Sequence, residues 1–167
     1  GVLGPADQAI DPAVLTAMAD AIRHRGPDDE GFYYGGGVGL AHRRLSIIDL
    51  EGGKQPLSAA DGAVQLVAYG ESYNYRDLRR QLKQAGFRFK TDSDCEVLGH
   101  GWVHWGRGLF ERLEGMFAFA LWDARTEELV LARDRLGQKP LYYSLLDDLL
   151  AGLVVGIITI VLALTLL

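Results

Sequence analysis

Apolar positions recur along this chain in two rhythms. Leu15, Met18 and Ile22 are spaced three to four residues apart, which places them on one face of a helix. Asp11 then Pro12 supplies an N-cap and a first-turn proline ahead of that face. The loop His24-Arg25-Gly26-Pro27-Asp28 ends it. Leu78 and Leu82 repeat the rhythm between Asn74, a capping residue, and Gly86, a terminator, so a second helix is expected over residues 75–85. Ser93 or Asp94 caps a third helix that runs to about Trp105. Residues 106–108 break it, and Leu109, Phe110 and Leu113 sit on a short fourth.

The second rhythm is that of strands. Residues 1–4 read as the end of a buried strand. Residues 32–34, a run of three glycines and residues 38–41 read as a hairpin. Residues 63–68 form another strand, and residues 116–122 are so continuously apolar that a strand buried on both faces is expected. A turn over residues 124–128 leads back into a strand at 129–132, and Gln138-Lys139-Pro140 leads to a last strand at 141–143. Strands and helices come in groups rather than in strict alternation. That favours an α+β fold with mostly antiparallel sheets and helices packed outside.

At 167 residues the chain suffices for one domain with a sizeable core. The net charge of −5, with bases scattered among acids, gives no nucleic-acid surface. One cysteine excludes an internal disulfide framework and fits a reducing compartment. No signal peptide is visible at the start.

Residues 149–167 change the picture, for they carry no charge at all. Their length reaches that of a membrane-spanning helix, and they offer no amphipathic face. They also lack an aromatic belt and flanking Lys or Arg. Two readings follow: an apolar C-terminal helix in contact with a membrane, or an artefact of truncation or frameshift. The expected organisation is a domain over residues 1–148 and an apolar tail over 149–167.

Candidate chemistry gathers in three runs: His42-Arg43-Arg44-Leu45-Ser46-Ile47-Ile48-Asp49, Tyr69-Gly70-Glu71-Ser72-Tyr73-Asn74 and Ser93-Asp94-Cys95-Glu96. Arg44 can hold a carboxylate through two parallel hydrogen bonds. Asp94, fifty residues on, can hold an ammonium. Gly70 and Glu71 can turn backbone groups toward a side-chain amide. Taken singly, Arg44 could be a surface arginine and Asp94 a helix cap. Cys95, flanked by two acids that raise a thiol pKa, reads as a buried structural cysteine. Glu96, His100 and His104 repeat every four residues, a spacing open to a metal. A solvated helix face accounts for them better, and no metal is expected. Asp134 with Arg133 and Arg135 reads as a solvated or paired strand end.

These runs, with His24 to Asp28, Gly115-Met116-Phe117-Ala118-Phe119-Ala120, Arg133-Asp134-Arg135-Leu136-Gly137 and Lys139-Pro140-Leu141-Tyr142, resemble the class II glutamine amidotransferase domain. The version found in glutamine-hydrolysing asparagine synthetases is the most similar. The resemblance covers about residues 1–148 and implies an αββα sandwich of the N-terminal-nucleophile hydrolase type. It implies that an N-terminal cysteine attacks the glutamine amide with its own α-amino group as base. Ammonia then passes to a synthetase domain that activates aspartate. ATP and Mg would belong to that second domain, and no cofactor is implied for this one. By position, Arg44 resembles the residue that grips the glutamine α-carboxylate and Asp94 the partner of its ammonium. Leu45, Ser46, Ile47 and Ile48 line the pocket, and Gly70 and Glu71 form the backbone pair beside the amide.

The chain departs from that pattern in places. The sequence as given opens at Gly1, past the position of the nucleophilic cysteine, so no catalytic residue is assigned and no turnover is expected of it. Tyr69 stands where the family carries an Asn that donates to the oxyanion, a donor typically worth about 10²–10³ in kcat. Two other readings stay open. One is a non-catalytic glutamine-binding module tethered to a membrane. The other is the glutaminase domain of a class II enzyme that forms glucosamine 6-phosphate or phosphoribosylamine. The resemblance implies a cytoplasmic protein, with membrane association only through residues 149–167.

Overall fold

The structure, a computed structural model, describes residues 1–45, 53–146 and 149–154. Helix α1 spans Pro12–Ala21, and the Asp11 carboxylate accepts from the Ala13 N–H at 2.8 Å, as the Asp-Pro pair predicts. Helix α2 spans Tyr75–Gln84 and buries Leu78 and Leu82. Asn74 sits at its N-cap position but spends its side chain elsewhere. Its Nδ2 donates to the Arg112 carbonyl and its Oδ1 accepts from Glu114 N–H, tying the helix start to the chain ahead of a strand. Helix α3 spans Glu96–Trp105, and α4 is the short turn Leu109–Arg112.

Among the described residues nine strands form two sheets. The first is ordered β2 (Asp29–Gly35), β3 (Val38–Arg44), β1 (Val2–Leu3), β9 (Leu149–Val154) and β8 (Leu141–Leu146). The second is ordered β4 (Leu57–Ala59), β5 (Val64–Ser72), β6 (Gly115–Asp123) and β7 (Glu128–Arg133). Every neighbouring pair is antiparallel.

The period-two alternation of β5 and β6 sorts the core into two layers. Val64, Leu66 and Ala68, with Phe117, Phe119 and Leu121, pack under α2 and α3 beside Leu82, Val97 and Trp102. Val67, Ala120 and Trp122 point the other way and meet Val38 and Leu40 of the first sheet. Burying one such Leu or Phe side chain is worth about 1.5–3 kcal/mol. On the outer face of the first sheet, Gly39 leaves room for Ile10 and Leu15. A Cβ at Gly39 would stand 3.1 Å from a carbon of each. Gly99 and Gly101 serve α3 in the same way, as Cβ atoms there would meet Ala59 at 3.2 Å and Leu109 at 2.7 Å. A mid-helix glycine disfavoured by about 1 kcal/mol is thus the condition for close packing of α3 on β4 and on α4. The result is an α+β fold of two facing antiparallel sheets with helices on the outside.

Two expectations need correction. Residues 57–59 form β4, which no strong pattern announced. The apolar helix expected from residue 149 onward does not form over its first six residues. Leu149–Val154 is β9, paired with β1 on one side and β8 on the other, so the first sheet continues past residue 148 and β8 is not the last strand. A continuously apolar run suits a central strand as well as a buried helix, and periodicity cannot separate the two. Residues 155–167, the rest of that expectation, lie outside the described residues. No helix among the described residues is long and apolar enough to cross a membrane.

Because β9 joins β1 to β8, deleting residues 149–167 should destabilise the domain rather than relieve it. Its thermal midpoint should fall by at least about 5 °C, or the cooperative transition should vanish. Calorimetry of the two lengths checks this; an unchanged midpoint would mean that β9 contributes nothing to the sheet.

Candidate functional site

Residues 23–28 wrap around the end of β3. Gly26 lies so close to the Arg43–Arg44 backbone that a Cβ would stand 2.4 Å from the Arg43 carbonyl carbon. Pro27 bridges Arg44, and Asp28 N–H donates to the Arg44 carbonyl at 3.0 Å. The two arginines then diverge. Arg43 turns to α1 and β2, where its guanidinium pairs with Asp20 and with Glu30 at 2.7 Å. Arg44 is 7% exposed and faces a cavity of about 250 Å³ between the sheets.

The far wall of that cavity is the end of β5. Gly70 has φ +125°, and a Cβ there would sit 2.0 Å from the Met116 carbonyl oxygen. Across the ladder Gly115, at φ +154°, makes the reciprocal approach to the Glu71 carbonyl oxygen at 2.2 Å. Only glycine tolerates both the conformation and the contact. Gln55 clamps β5 just before this bend. Its Nε2 donates to the Ala68 carbonyl at 3.0 Å, and Ala68 N–H donates back to Oε1 at 2.6 Å.

Asp94 reaches the same cavity from the turn before α3. Its Oδ2 accepts from Ser72 N–H at 3.0 Å, and the Cys95 thiol lies 3.6 Å from Oδ1. Neither Ser93 nor Asp94 caps α3: its N-cap is Cys95, with no side-chain cap bond, and the Ser93 hydroxyl accepts from Cys95 N–H in the turn before it. Cys95 is buried, and burial together with the Asp94 charge pushes its thiol well above the usual range. A thiol so held is a poor nucleophile.

Of the residues singled out in the sequence, Arg44, Leu45, Tyr69, Gly70, Glu71 and Asp94 all line this cavity. Ser46, Ile47 and Ile48 lie outside the described residues. Gly1, just ahead of β1, lines it too.

Other residues there carry no clear signal in the sequence, or a misleading one. His42 lines the cavity, and burial holds its imidazole down at about 4, against a hydrogen bond to the Ala68 backbone. Asp134 is not a solvated strand end. It is 3% exposed, and its carboxylate accepts from Gln138 N–H and Lys139 N–H, both at 2.9 Å. Burial alone would raise the Asp134 carboxyl, but those bonds hold it below its ordinary value. The turn so fixed carries Lys139 to the cavity, with Nζ 4.7 Å from the centre of the Tyr69 ring.

Nor is the Glu96 face of α3 solvated. Glu96 and His100 are buried, because residues 87–91 fold back over them. Glu96 accepts from Lys90 N–H at 2.7 Å, Thr91 N–H at 2.8 Å and Thr91 Oγ1 at 2.6 Å, and lies 3.3 Å from His100 Nε2. Burial would raise its carboxyl, but the His100, Thr91 and Lys90 hydrogen bonds hold it at about 2. Of the three only His104 is exposed, where it meets the Phe87 and Trp105 rings. Among the described residues no three His, Cys, Asp or Glu side chains are grouped to hold a metal.

Residues 1–154 match the family model described as a glutamine amidotransferase domain. This chain belongs to that family. It is 46% identical over 131 residues to asparagine synthetase [glutamine-hydrolyzing] 2 of Bacillus subtilis, an alignment covering 78% of this chain and 17% of that protein. It is also 46% identical over 156 residues to a putative asparagine synthetase [glutamine-hydrolyzing] of Mycobacterium tuberculosis, covering 86% of this chain and 24% of the relative. The chain therefore spans about a fifth of the length of these relatives. Among solved structures, the glutamine phosphoribosylpyrophosphate amidotransferase of B. subtilis superposes with a TM-score of 0.72 at 22% identity. It covers 90% of this chain and 40% of its own, a likeness of fold.

The geometry of this amidotransferase domain yields two predictions. Gly70→Ala places a methyl group against the Met116 carbonyl at a positive φ, and should cost at least about 2 kcal/mol in denaturant unfolding. The second concerns pH. His42 has a folded pKa lowered from 6.5 to about 4, so its contribution is present above pH 6.5 and lost as pH falls toward 4, where the unfolded chain takes up a proton that the folded one refuses. Stability measured across that window should decline, and His42→Gln should flatten the decline. An equal slope in the variant would assign the effect to other groups.

Proposed function

We propose that the inter-sheet cavity binds L-glutamine and that the domain releases ammonia from it for an acceptor elsewhere in a longer protein, as in asparagine synthetases. The observation that carries this reading is the convergence of Arg44 and Asp94. They lie fifty residues apart, on β3 and ahead of α3, and both line one cavity with the Gly70–Glu71 backbone between them. Arg44 takes the α-carboxylate with its planar fork. Asp94, held by Ser72 N–H, takes the α-ammonium. The bend that the two glycines permit leaves backbone groups of β5 beside the side-chain amide.

Hydrolysis in this reading needs the N-terminal cysteine of the family, and β1 is the strand that brings it. Gly1 lines the cavity, in keeping with that role for β1. Burial of the His42 imidazole keeps it neutral near pH 7, so it adds no charge beside Arg44. A second reading is binding without turnover. It is favoured by the sequence at Tyr69, which stands where the family pattern carries the Asn donor, and whose half-exposed ring lies under Lys139.

Calorimetric titration with L-glutamine tests the pocket. Arg44→Ala should weaken binding by about 2–5 kcal/mol, because it leaves a carboxylate unpaired in a largely buried site. Arg44→Lys should recover only part of that loss, since an ammonium is a point charge and not a fork. Full affinity in Arg44→Ala would remove the basis for the proposed orientation.

A further inference from the structure

Among the described residues, the side-chain groups around the cavity leave positive charge in excess. Arg25, Arg44 and Lys139 line it, against Glu71 and Asp94. Arg43 also borders it, but its guanidinium is committed to Asp20 and Glu30. An α-amino acid uses Arg44 for its carboxylate and Asp94 for its ammonium. Among the described side chains that line the cavity, Arg25 and Lys139 are then left with Glu71, which is exposed to water. Neither Arg25 nor Lys139 has a carboxylate partner among the described residues.

Lys139 is also placed rather than free to wander. Its backbone N–H is held by Asp134 Oδ2, and its Nζ lies over the Tyr69 ring. Tyr69 immediately precedes Gly70, so this ammonium stands at the end of the cavity where the ligand's side chain terminates in the proposed orientation. A polar group at that end meets a cation resting on an aromatic face. Glutamine offers an uncharged amide there, whereas glutamate offers a carboxylate of the same size and shape.

The geometry points to a pocket whose side-chain subsite, built from Lys139 on Tyr69, selects a dicarboxylic α-amino acid, L-glutamate, over its amide. This inference rests on the orientation proposed above for Arg44 and Asp94. It makes Tyr69 a positioning residue, because the ring fixes the ammonium in a cavity where an Asn would leave it unsupported. Since glutamate is the hydrolysis product in the proposed reaction, the same subsite would make the domain a product-retaining or glutamate-sensing one.

The test is titration of the full 167-residue chain with L-glutamate and L-glutamine in parallel. The expected result is glutamate binding about ten-fold or more tighter than glutamine, with a preference that shrinks as salt is added. Lys139→Met should bring the two affinities to within about three-fold, and Lys139→Arg should keep the preference because it keeps a cation over the ring. Glutamine binding that depends on Arg44, with no glutamate preference or one indifferent to Lys139→Met, overturns the subsite and leaves the orientation standing. If neither amino acid binds, or both bind equally well to Arg44→Ala, the orientation itself is wrong and the subsite falls with it.

Discussion

The site depends on a backbone contact that no side chain makes. At Gly70 and Gly115 strands β5 and β6 approach until each glycine's missing Cβ would lie about 2 Å from a carbonyl oxygen of the other strand. The register Gly70 to Phe117, Glu71 to Met116 and Ser72 to Gly115 is kept through this squeeze. Both residues have positive φ, so the strand turns its backbone out of the regular pleat as it leaves the sheet. That turn lets residues 69–71 line the cavity and aims Ser72 N–H at Asp94. Without the two glycines, the backbone bend that brings Ser72 N–H to Asp94 could not form.

The second layer of support is polar and buried, and it works by relay. Glu96 holds the backbone of Lys90 and Thr91; the Thr91 hydroxyl accepts from Ser93 N–H; the Ser93 hydroxyl accepts from Cys95 N–H. Asp94 sits inside this run, so its carboxylate is delivered by a loop whose own groups are paired. A buried carboxylate such as Glu96 is tolerable only when so many donors meet it. On the other side of the cavity Asp134 does the same for the turn that ends at Lys139. Two buried acids thus position two charged groups that reach the ligand space, and neither acid is among the residues lining that space.

What was legible in the sequence divides along physical lines. Helices α1 and α2 were readable because caps and periodic leucines agree at Asp11, Leu15, Leu78 and Leu82. The pocket residues Arg44, Gly70, Glu71 and Asp94 were readable because ordered motifs brought them in together, and a single Arg or Asp would not have been. Lys139, Asp134 and Gln55 were not, for their roles come from long-range contacts: an ammonium over a ring seventy residues away, a carboxylate under a turn, an amide clamped on Ala68. Glu96 and His100 escape such reading because helical spacing cannot tell a solvated face from one under a returning loop. Phe87 and Phe89, which lie against the His100 ring, were the available signal.

The apolar run after residue 148 shows where local pattern stops deciding. Length and lack of charge are the same whether a segment crosses a bilayer, fills a core or becomes a central strand. The neighbours decide. Strand β1 has two residues in its ladder and is paired on one side by β3. Its other edge would stay open in the middle of a sheet unless something filled the gap to β8. An open edge there would leave backbone N–H and C=O groups unpaired next to the cavity. Leu149–Val154 meets that demand with pairs such as Val2 to Ala151 and Tyr143 to Gly152. Leu150 then lines the cavity wall. Local pattern proposes several structures for such a run. The unsatisfied backbone of β1 selects one, and by doing so it closes the sheet on which Arg44 is mounted.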